Sequence, residues 1–573
     1  MNQIKYIIIG SLMLTACAQT PVQPTAVHPV DMPDPQTEVA PVLPNIELSD
    51  ELLYEFLVTE IASQRGNVAL AVQGSSDLAN KTRDPRLAMR AAQLSLQAGQ
   101  LDKAIEALKL WREVDPASPL AMRMYASALL RTGNLVEASR ELASVLKADQ
   151  ANAGHIFYQI YQMLAPYPDR EAALKFMIEL AQPYPRVAEA HWAVAQLAQA
   201  SGDDKLALDE ARQARSLRPE WDMAVSQEAY LVKKIAPQQG LELLRRYLSD
   251  YPEAHEIRLQ YARALLEQKQ FKQARDEFQR LEDDNPENAE TAFAIALISL
   301  QLKDYKGAED HLKQALSKGK KDQDTVRYYL GQLSEAKMND DEAIEHYRQV
   351  TGGEYLFAAQ IRVAYLMSKR GRLDEALQQL HQLQPADNQQ RVQLILVESQ
   401  FLREANRLPE AYQVLQNGLA KLPNHPDLLY GAAMLADTIG KPDVFEQLMR
   451  KLIQLQPDHA HAYNALGYGL LERNERIPEA MQLVEKALQL APDDPAIMDS
   501  VGWGYYRSGK LEESVKMLRR AIAVNPDPEI AAHLGEVLWM RGEKAEAKKI
   551  WQESIKANPD NAPLQAVIKK FMP

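Results

Sequence analysis

Two histidines one residue apart, His459 and His461, are the strongest candidates in the sequence for binding a metal ion. They directly follow Asp458, and carboxylate with imidazole is a donor set that divalent metals accept. Residues at i and i+2 lie on different faces of a helix, so the two rings would not converge on one ion. We interpret the three residues as solvated side chains at the start of a helix.

No other motif for catalysis or cofactor binding appears in the 573 residues. The P-loop, dinucleotide-binding, HExxH and GxSxG patterns are all missing. Gly467 and Gly502 each begin a Gly-aromatic-Gly triplet, but the third glycine of a nucleotide fingerprint is lacking. Cys17 is the single cysteine, which excludes an intramolecular disulfide and a thiolate zinc site. Carboxylates are plentiful, but no pair stands out for acid–base catalysis. We therefore predict a non-enzyme without cofactor, metal or small-molecule substrate.

Composition favours a folded, all-helical protein. Charged residues make up 25% and hydrophobic residues 46% of the chain, which rules out global disorder. Only 24 glycines and 7% aromatic residues suit an all-α fold better than an all-β one. The chain has 65 Lys and Arg against 78 Asp and Glu, a net charge of −13. That acidic balance argues against nucleic acid as a partner.

The N-terminus has the pattern of a targeting segment. Lys5 precedes a nine-residue apolar run over 6–14, which is too short to span a bilayer but fits a signal peptide. Small residues then lead into Cys17, and this stretch resembles the signal of bacterial lipoproteins. The resemblance implies cleavage after residues 1–16, a lipid anchor on Cys17 and, because Ala18 follows, sorting to the outer membrane with the body in the periplasm.

Residues 17–47 are interpreted as the lipidated N-terminus and a proline-rich tether. Seven prolines fall between Pro21 and Pro44. Proline at this density prevents a helix or central strand and favours extended, solvated polyproline II. The tether would hold the folded body away from the membrane; a remnant without a role is the alternative.

A small residue recurs along the rest of the chain at intervals that average 34 residues. A ladder of prolines runs in phase with it, near the end of most repeats. Two helices per repeat cannot bury their apolar faces alone, so neighbouring repeats must stack to form a core. The small-residue ladder consists of Ala71, Ala104, Ala138, Ala173, Ala207, Gly240, Ala274, Ala308, Ala343, Ala376, Ala411, Phe445, Ala480, Ser514 and Ala547.

The repeat at 495–526 shows the pattern most clearly. Met498, Val501, Gly502 and Tyr505 lie at i, i+3, i+4 and i+7, one face of a helix, and a second helix follows until a proline ends it. This pattern, with its Leu-Gly, Ala and Pro positions at fixed offsets, resembles the tetratricopeptide repeat (TPR). The resemblance implies an all-α fold: a right-handed superhelical solenoid of about 14–15 helix-turn-helix units.

We predict five segments from these patterns. Residues 1–16 are the signal peptide and 17–47 the tether. Residues 48–83 form a degenerate N-terminal helical unit, 84–560 the TPR solenoid, and 561–573 a capping helix that shields the last apolar face.

The binding surface is predicted on the first helices of the best-matched repeats. In TPR proteins these helices line the concave face, and large aromatic residues and Arg are the types that anchor protein ligands. Packing between repeats is the alternative role for each residue. The residues selected are Tyr468, Trp503, Tyr506, Arg507 and Trp539.

The order of segments resembles a group of proteobacterial outer-membrane TPR lipoproteins. In that group a lipoprotein adaptor binds a periplasmic carboxyl-terminal processing protease and substrates such as peptidoglycan hydrolases, and so promotes their degradation. The resemblance implies the same partners here, with residues 48–83 as a dock and the concave face as a cradle. A structural scaffold for envelope assembly or secretion is the alternative; an enzyme within the weaker repeats is a third class.

Overall fold

The computed structural model describes residues 43–572. Within that range the chain forms 31 α-helices, one short 3-10 turn at Gln150–Asn152 and no β-strand. The all-α prediction is therefore confirmed for the described residues. None of their helices has the length and apolar character needed to cross a membrane. The predicted signal peptide, Cys17 and most of the tether lie outside the described residues.

The first compact unit ends at Lys318 and holds eight helical hairpins among its described residues. We call the two members of each hairpin its first and second helix. The sixteen helices are α1 (Asp50–Gln64), α2 (Val68–Thr82), α3 (Pro85–Gln97), α4 (Leu101–Val114), α5 (Pro119–Arg131), α6 (Leu135–Ala148), α7 (Ala153–Leu164), α8 (Arg170–Ala181), α9 (Ala188–Ser201), α10 (Asp204–Leu217), α11 (Asp222–Ile235), α12 (Pro237–Asp250), α13 (His255–Glu267), α14 (Phe271–Asp284), α15 (Ala289–Gln301) and α16 (Tyr305–Ser317).

The second compact unit begins at Gly319 and holds seven hairpins and one last helix among its described residues. Its helices are α17 (Gln323–Ala336), α18 (Asp340–Arg348), α19 (Leu356–Lys369), α20 (Leu373–Gln382), α21 (Asn388–Glu404), α22 (Leu408–Lys421), α23 (Pro426–Thr438), α24 (Pro442–Leu455), α25 (Ala460–Glu472), α26 (Ile477–Leu490), α27 (Pro495–Arg507), α28 (Leu511–Val524), α29 (Pro528–Arg541), α30 (Lys544–Ala557) and α31 (Ala562–Phe571).

The small-residue ladder lies where the two helices of each hairpin meet. All fifteen of its residues are buried, most with no exposed surface. A small side chain lets two helix backbones approach closely, so the 34-residue spacing records one such contact per hairpin.

The proline ladder marks the ends of the second helices. Its ten members are Pro116, Pro185, Pro219, Pro252, Pro286, Pro423, Pro457, Pro492, Pro526 and Pro559. Nine of them lie two residues beyond the last helical residue, as Pro526 does after Val524. Proline lacks the backbone N–H and disfavours a helical residue before it, so it ends the second helix at a constant point. The tenth, Pro185, lies four residues after Ala181.

Glycine allows the closest approach inside a hairpin. A Cβ added at Gly535 of α29 would overlap the ring of Trp551 on α30. That indole is fully buried, and its Nε1 donates to the Ala532 carbonyl at 3.3 Å. Gly502 has the same role in the preceding hairpin, where an added Cβ would lie 2.6 Å from Cγ of Leu518. The Leu-Gly position of the repeat is thus a steric requirement.

Phe445 is the one large residue in the small-residue ladder, and the next hairpin makes room for it. Its ring is 1% exposed. Gly469 of α25 faces it so closely that an added Cβ would lie 3.0 Å from the ring. The Arg473 guanidinium lies 5.8 Å from the ring centroid. The volume added in one hairpin is therefore matched by volume removed in its neighbour.

The last helix, α31, covers the apolar face left by α29 and α30. Leu564 is fully buried, and the Phe571 ring lies 5.7 Å from Trp551 and 5.8 Å from Trp539. An array of stacked hairpins needs such a closure, because its terminal hairpin has no further neighbour.

Candidate protein-binding surface

Three consecutive first helices, α25, α27 and α29, lie side by side in the second compact unit. α27 packs against both of the others. Tyr468, Trp503 and Glu536 directly follow the glycine of their repeats, so they occupy one equivalent position on the three helices. This shared position brings aromatic and acidic side chains together across three hairpins.

Trp503 is the centre of an aromatic cluster. Its ring stacks on His533 with centroids 4.2 Å apart and lies 4.9 Å from the ring of Tyr506. Trp503 is 7% exposed, whereas Tyr506 is half-buried. The Trp503 indole N–H has no hydrogen-bond partner among the described residues. Trp503 therefore belongs to the packed interior of the cluster, and Tyr506 carries its more accessible aromatic surface.

His533 is held from a second side by Asp499 of α27. With Nδ1 protonated, the ring donates to both carboxylate oxygens, at 3.0 and 2.9 Å. Both side chains are buried. Burial alone would lower the pKa of His533, but the Asp499 carboxylate, with Glu529 and Glu472 farther out, raises it above the usual value. The pair therefore favours a cationic imidazole beside a buried carboxylate.

Tyr468 connects the first of these helices to the third. Its hydroxyl donates to Glu529 Oε1 at 3.3 Å, and its ring lies 6.2 Å from His533. Burial raises the pKa of Tyr468, so the phenol stays protonated as a donor. Desolvation by neighbouring residues also raises the pKa of the Glu529 carboxyl group. Glu529 and Glu472 are nevertheless open to solvent at the edge of the cluster.

Arg507 lies at the end of α27 and binds the end of α25. Its Nε donates to the Leu471 carbonyl at 3.1 Å, and an Nη donates to the Glu472 carbonyl at 3.3 Å. The last carbonyls of a helix have no partner within it, so the guanidinium satisfies them. Its charge lies 5.8 Å from the Trp503 ring centroid. Arg507 thus positions α25 against α27.

Tyr506 lies at the edge of the cluster toward the last helix. Its hydroxyl donates to Glu536 Oε1 at 3.4 Å, and Lys570 of α31 donates to the same oxygen at 3.0 Å. Glu536 is buried and so needs both donors.

The structure brings together four of the five residues predicted for this surface and gives Trp539 different neighbours. The Trp539 ring stacks 5.8 Å from Trp551 and contacts Phe571. Lys544 and Lys548 lie over its face, at 5.1 and 5.9 Å from the centroid. Trp539 is the counterpart of Tyr506, four residues after the glycine of its repeat, but in the last hairpin this position contacts Phe571 of α31.

Sequence reasoning missed the polar members of the cluster, namely Asp499, His533, Glu529 and Glu536. The repeat register contained a usable signal, because His533 stands two residues before Gly535 and Asp499 three before Gly502, on the faces that pack. Polar residues at such positions need buried partners.

His533 and Asp499 form a histidine–carboxylate pair of a kind that also occurs in catalytic sites. A histidine oriented by a carboxylate is part of a hydrolytic triad, but within residues 43–572 no serine or threonine hydroxyl hydrogen-bonds to His533. The stacked Trp503 covers one ring face. The two histidines that were weighed for metal binding have other contacts: His459 accepts from the Ala462 N–H at 3.1 Å as a helix cap, and His461 lies 3.8 Å from Asp494.

Comparison with known proteins agrees with the repeat pattern. One tetratricopeptide repeat model matches residues 95–156 and 235–298, and a second matches residues 430–495 and 502–562. The chain is 32% identical, over 538 residues, to the TPR repeat-containing protein PA4667 of Pseudomonas aeruginosa, covering 94% of this chain and 90% of that one.

Matches to solved structures are more distant in sequence. One chain from the crystal structure of the APC/C hetero-tetramer Cut9–Hcn1 is 13% identical to this chain, with a TM-score of 0.29. The match covers 85% of this chain and 97% of that one. TTC0263, a thermophilic TPR protein in Thermus thermophilus, is 20% identical to this chain and also has a TM-score of 0.29. The match covers 31% of this chain and 98% of TTC0263. On the strength of the repeat matches and the near full-length relative, the chain belongs to the tetratricopeptide repeat family.

Proposed function

We propose that this protein is a membrane-anchored scaffold that binds other proteins on the surface formed by α25, α27 and α29. The observation that supports this most directly is the Trp503 cluster, where a buried indole, two more accessible tyrosines and two exposed carboxylates meet on three adjacent first helices. Aromatic anchors with a polar edge are typical of protein interfaces.

The partners we propose are a periplasmic carboxyl-terminal processing protease and its substrates, such as peptidoglycan hydrolases. Support comes from the order of segments: a lipoprotein-like N-terminus, a proline-rich stretch and a long TPR array. A lipid on Cys17 would attach the chain to the outer membrane. Binding protease and substrate to one scaffold raises the effective concentration of each for the other, so proteolysis accelerates without new chemistry.

In-cell photo-crosslinking tests this proposal. A photoreactive residue is placed at the exposed edge of the cluster, in place of Glu472 or Glu529, and a control is placed at Lys549. Lys549 is exposed on α30, a second helix of the same unit. We expect a protease and its substrates to be captured from the edge positions and not from Lys549.

Deletion of the chain should also cause a peptidoglycan hydrolase to accumulate. Capture of only biosynthetic enzymes or secretion subunits, with unchanged hydrolase levels, would contradict the protease role and favour a structural scaffold. Equal capture from Lys549 and the edge positions would contradict the placement of the surface.

A further inference from the structure

A cavity of about 410 Å³ opens among the first helices of three consecutive hairpins in the first compact unit. Leu96 comes from α3, Met124 from α5, and Ile156 and Met163 from α7. This volume falls within the range of about 300–1,000 Å³ that is usual for ligand sites. The floor is apolar, and its two methionines are only partly buried. Methionine adapts its shape to different apolar partners, so this floor suits a side chain from outside.

Two arginines of α5, Arg123 and Arg131, border the cavity. Both are exposed, and neither guanidinium has a carboxylate partner within residues 43–572. By contrast, Arg112 on the preceding helix is paired with Glu141 at 2.8 Å. None of the residues that line the cavity is acidic. In a chain of net charge −13, this is a local site of uncompensated positive charge.

The spacing of the arginines limits the shape of a ligand. Eight residues of α-helix separate them, a rise of about 12 Å. An extended peptide covers about 13 Å in four residues, and its residues i, i+2 and i+4 point to the same side. Carboxylates at i and i+4 would therefore meet the two arginines, while the side chain at i+2 enters the apolar floor between them.

We propose that this cavity binds an extended internal segment of a partner protein with the pattern acidic-x-apolar-x-acidic. The inference rests on the proposed scaffold function in requiring a protein partner, but it concerns a different surface and a different chemistry. Arg–carboxylate pairs supply the charge-assisted hydrogen bonds, and burial of the central side chain supplies the apolar contact.

Fluorescence anisotropy with short peptides and the full chain tests this directly. The probe is a labelled peptide with blocked ends, GSESLSESG, and its counterpart carries Gln at both Glu positions. We expect the acidic peptide to bind about tenfold more tightly than the Gln peptide, and its affinity to fall as salt screens the charges. Replacing its leucine by alanine should weaken binding by a similar factor.

Variants of the chain provide the matched comparison. The double substitution Arg123→Gln with Arg131→Gln should remove the preference for the acidic peptide. Arg140→Gln is the control, because Arg140 is exposed on α6, also lacks a carboxylate partner among the described residues and does not line the cavity. Ser127 is a half-buried residue of the cavity lining, so Ser127→Phe should fill the cavity. In that variant the leucine peptide should bind no more tightly than the alanine peptide.

Several outcomes would overturn this proposal. They are no binding of the acidic peptide, equal binding of the Gln peptide, and wild-type affinity in the double variant. Tighter binding of a GSESL peptide with a free carboxyl end would instead assign the site to a chain terminus and overturn the internal-segment pattern. Crosslinking from the α25, α27 and α29 surface reads out the scaffold function separately, so failure of one proposal is distinguishable from failure of the other.

Discussion

Trp503 and His533 stack with their ring centroids 4.2 Å apart and their planes 23° from parallel. The contact joins α27 to α29, and Asp499 holds Nδ1 of the same imidazole. All three side chains are buried. The protonation of one histidine is therefore coupled to the packing of two hairpins.

This coupling predicts that the packing of α27 against α29 weakens as the pH rises. The pKa of His533 is raised in the folded chain. Its stabilising effect is therefore fully present below the unfolded value of about 6.5 and is lost as the pH rises through the folded value. Hydrogen exchange of α27 and α29 between pH 5.5 and 8.5 measures the effect.

His533→Gln should remove that pH dependence and lower the local opening free energy at low pH by about 1–3 kcal/mol. His461→Gln is the control, because His461 is exposed on α25. An unchanged pH profile in the His533 variant would contradict the coupling.

Removal of the aromatic anchors should abolish partner capture. Tyr506→Ala truncates the half-buried edge ring, and Trp503→Ala removes the central one. Each change should weaken partner binding tenfold or more. Trp539→Ala should leave capture intact, since that ring packs on Trp551 and Phe571. Pull-down of partners with each folded variant measures this. Full capture by folded Trp503 and Tyr506 variants would show that the surface is wrongly placed.

Gly535→Ala should destabilise the last hairpins, because its methyl group would overlap the Trp551 ring. Overpacking of this kind typically costs about 1–3 kcal/mol. Gly431→Ala is the matched control. Gly431 lies inside α23, and its added Cβ would make only ordinary contacts with other helices, at 3.6 Å and beyond. That change should be neutral or stabilising by up to about 1 kcal/mol through helix propensity. Thermal unfolding of both variants decides, and equal effects would refute the steric explanation.

Ser514→Ala should stabilise the protein. Ser514 is fully buried, and its hydroxyl has no partner among the described residues. Equivalent positions in the flanking hairpins carry Ala480 and Ala547. Relief of an unsatisfied hydroxyl is worth about 1 kcal/mol. Ser500→Ala is the comparison, since that hydroxyl donates to the Ala496 carbonyl at 3.0 Å and its loss should not stabilise. Urea denaturation of both variants tests the difference.

The proposed lipid anchor predicts that Cys17→Ser releases the chain from the membrane fraction. Lipid chains anchor through burial of their methylene groups, so the variant loses its attachment entirely. Immunoblots of soluble and membrane fractions measure the distribution, with Cys17 intact as the reference. Membrane retention of the serine variant would contradict lipid anchoring.

The repeat architecture was determined by the sequence alone, because its signals are local and recur. Each signal reflects the structure of a single hairpin. Examples are the buried Ala138 and Ala480, and Pro526 just beyond Val524. Side chains three and four residues apart share a helix face whatever surrounds them, and proline ends a helix through its own covalent structure. Such features need no knowledge of the neighbouring hairpin.

Contacts between hairpins were decided only by the tertiary structure. Tyr468 meets Glu529 across 61 positions, and His533 meets Asp499 across 34. These meetings depend on how far one hairpin is displaced and rotated on the next, which side-chain packing at every interface sets together. Periodicity cannot supply that displacement. It therefore located the helices that carry Trp503 and Arg123, but not the side chains that surround them.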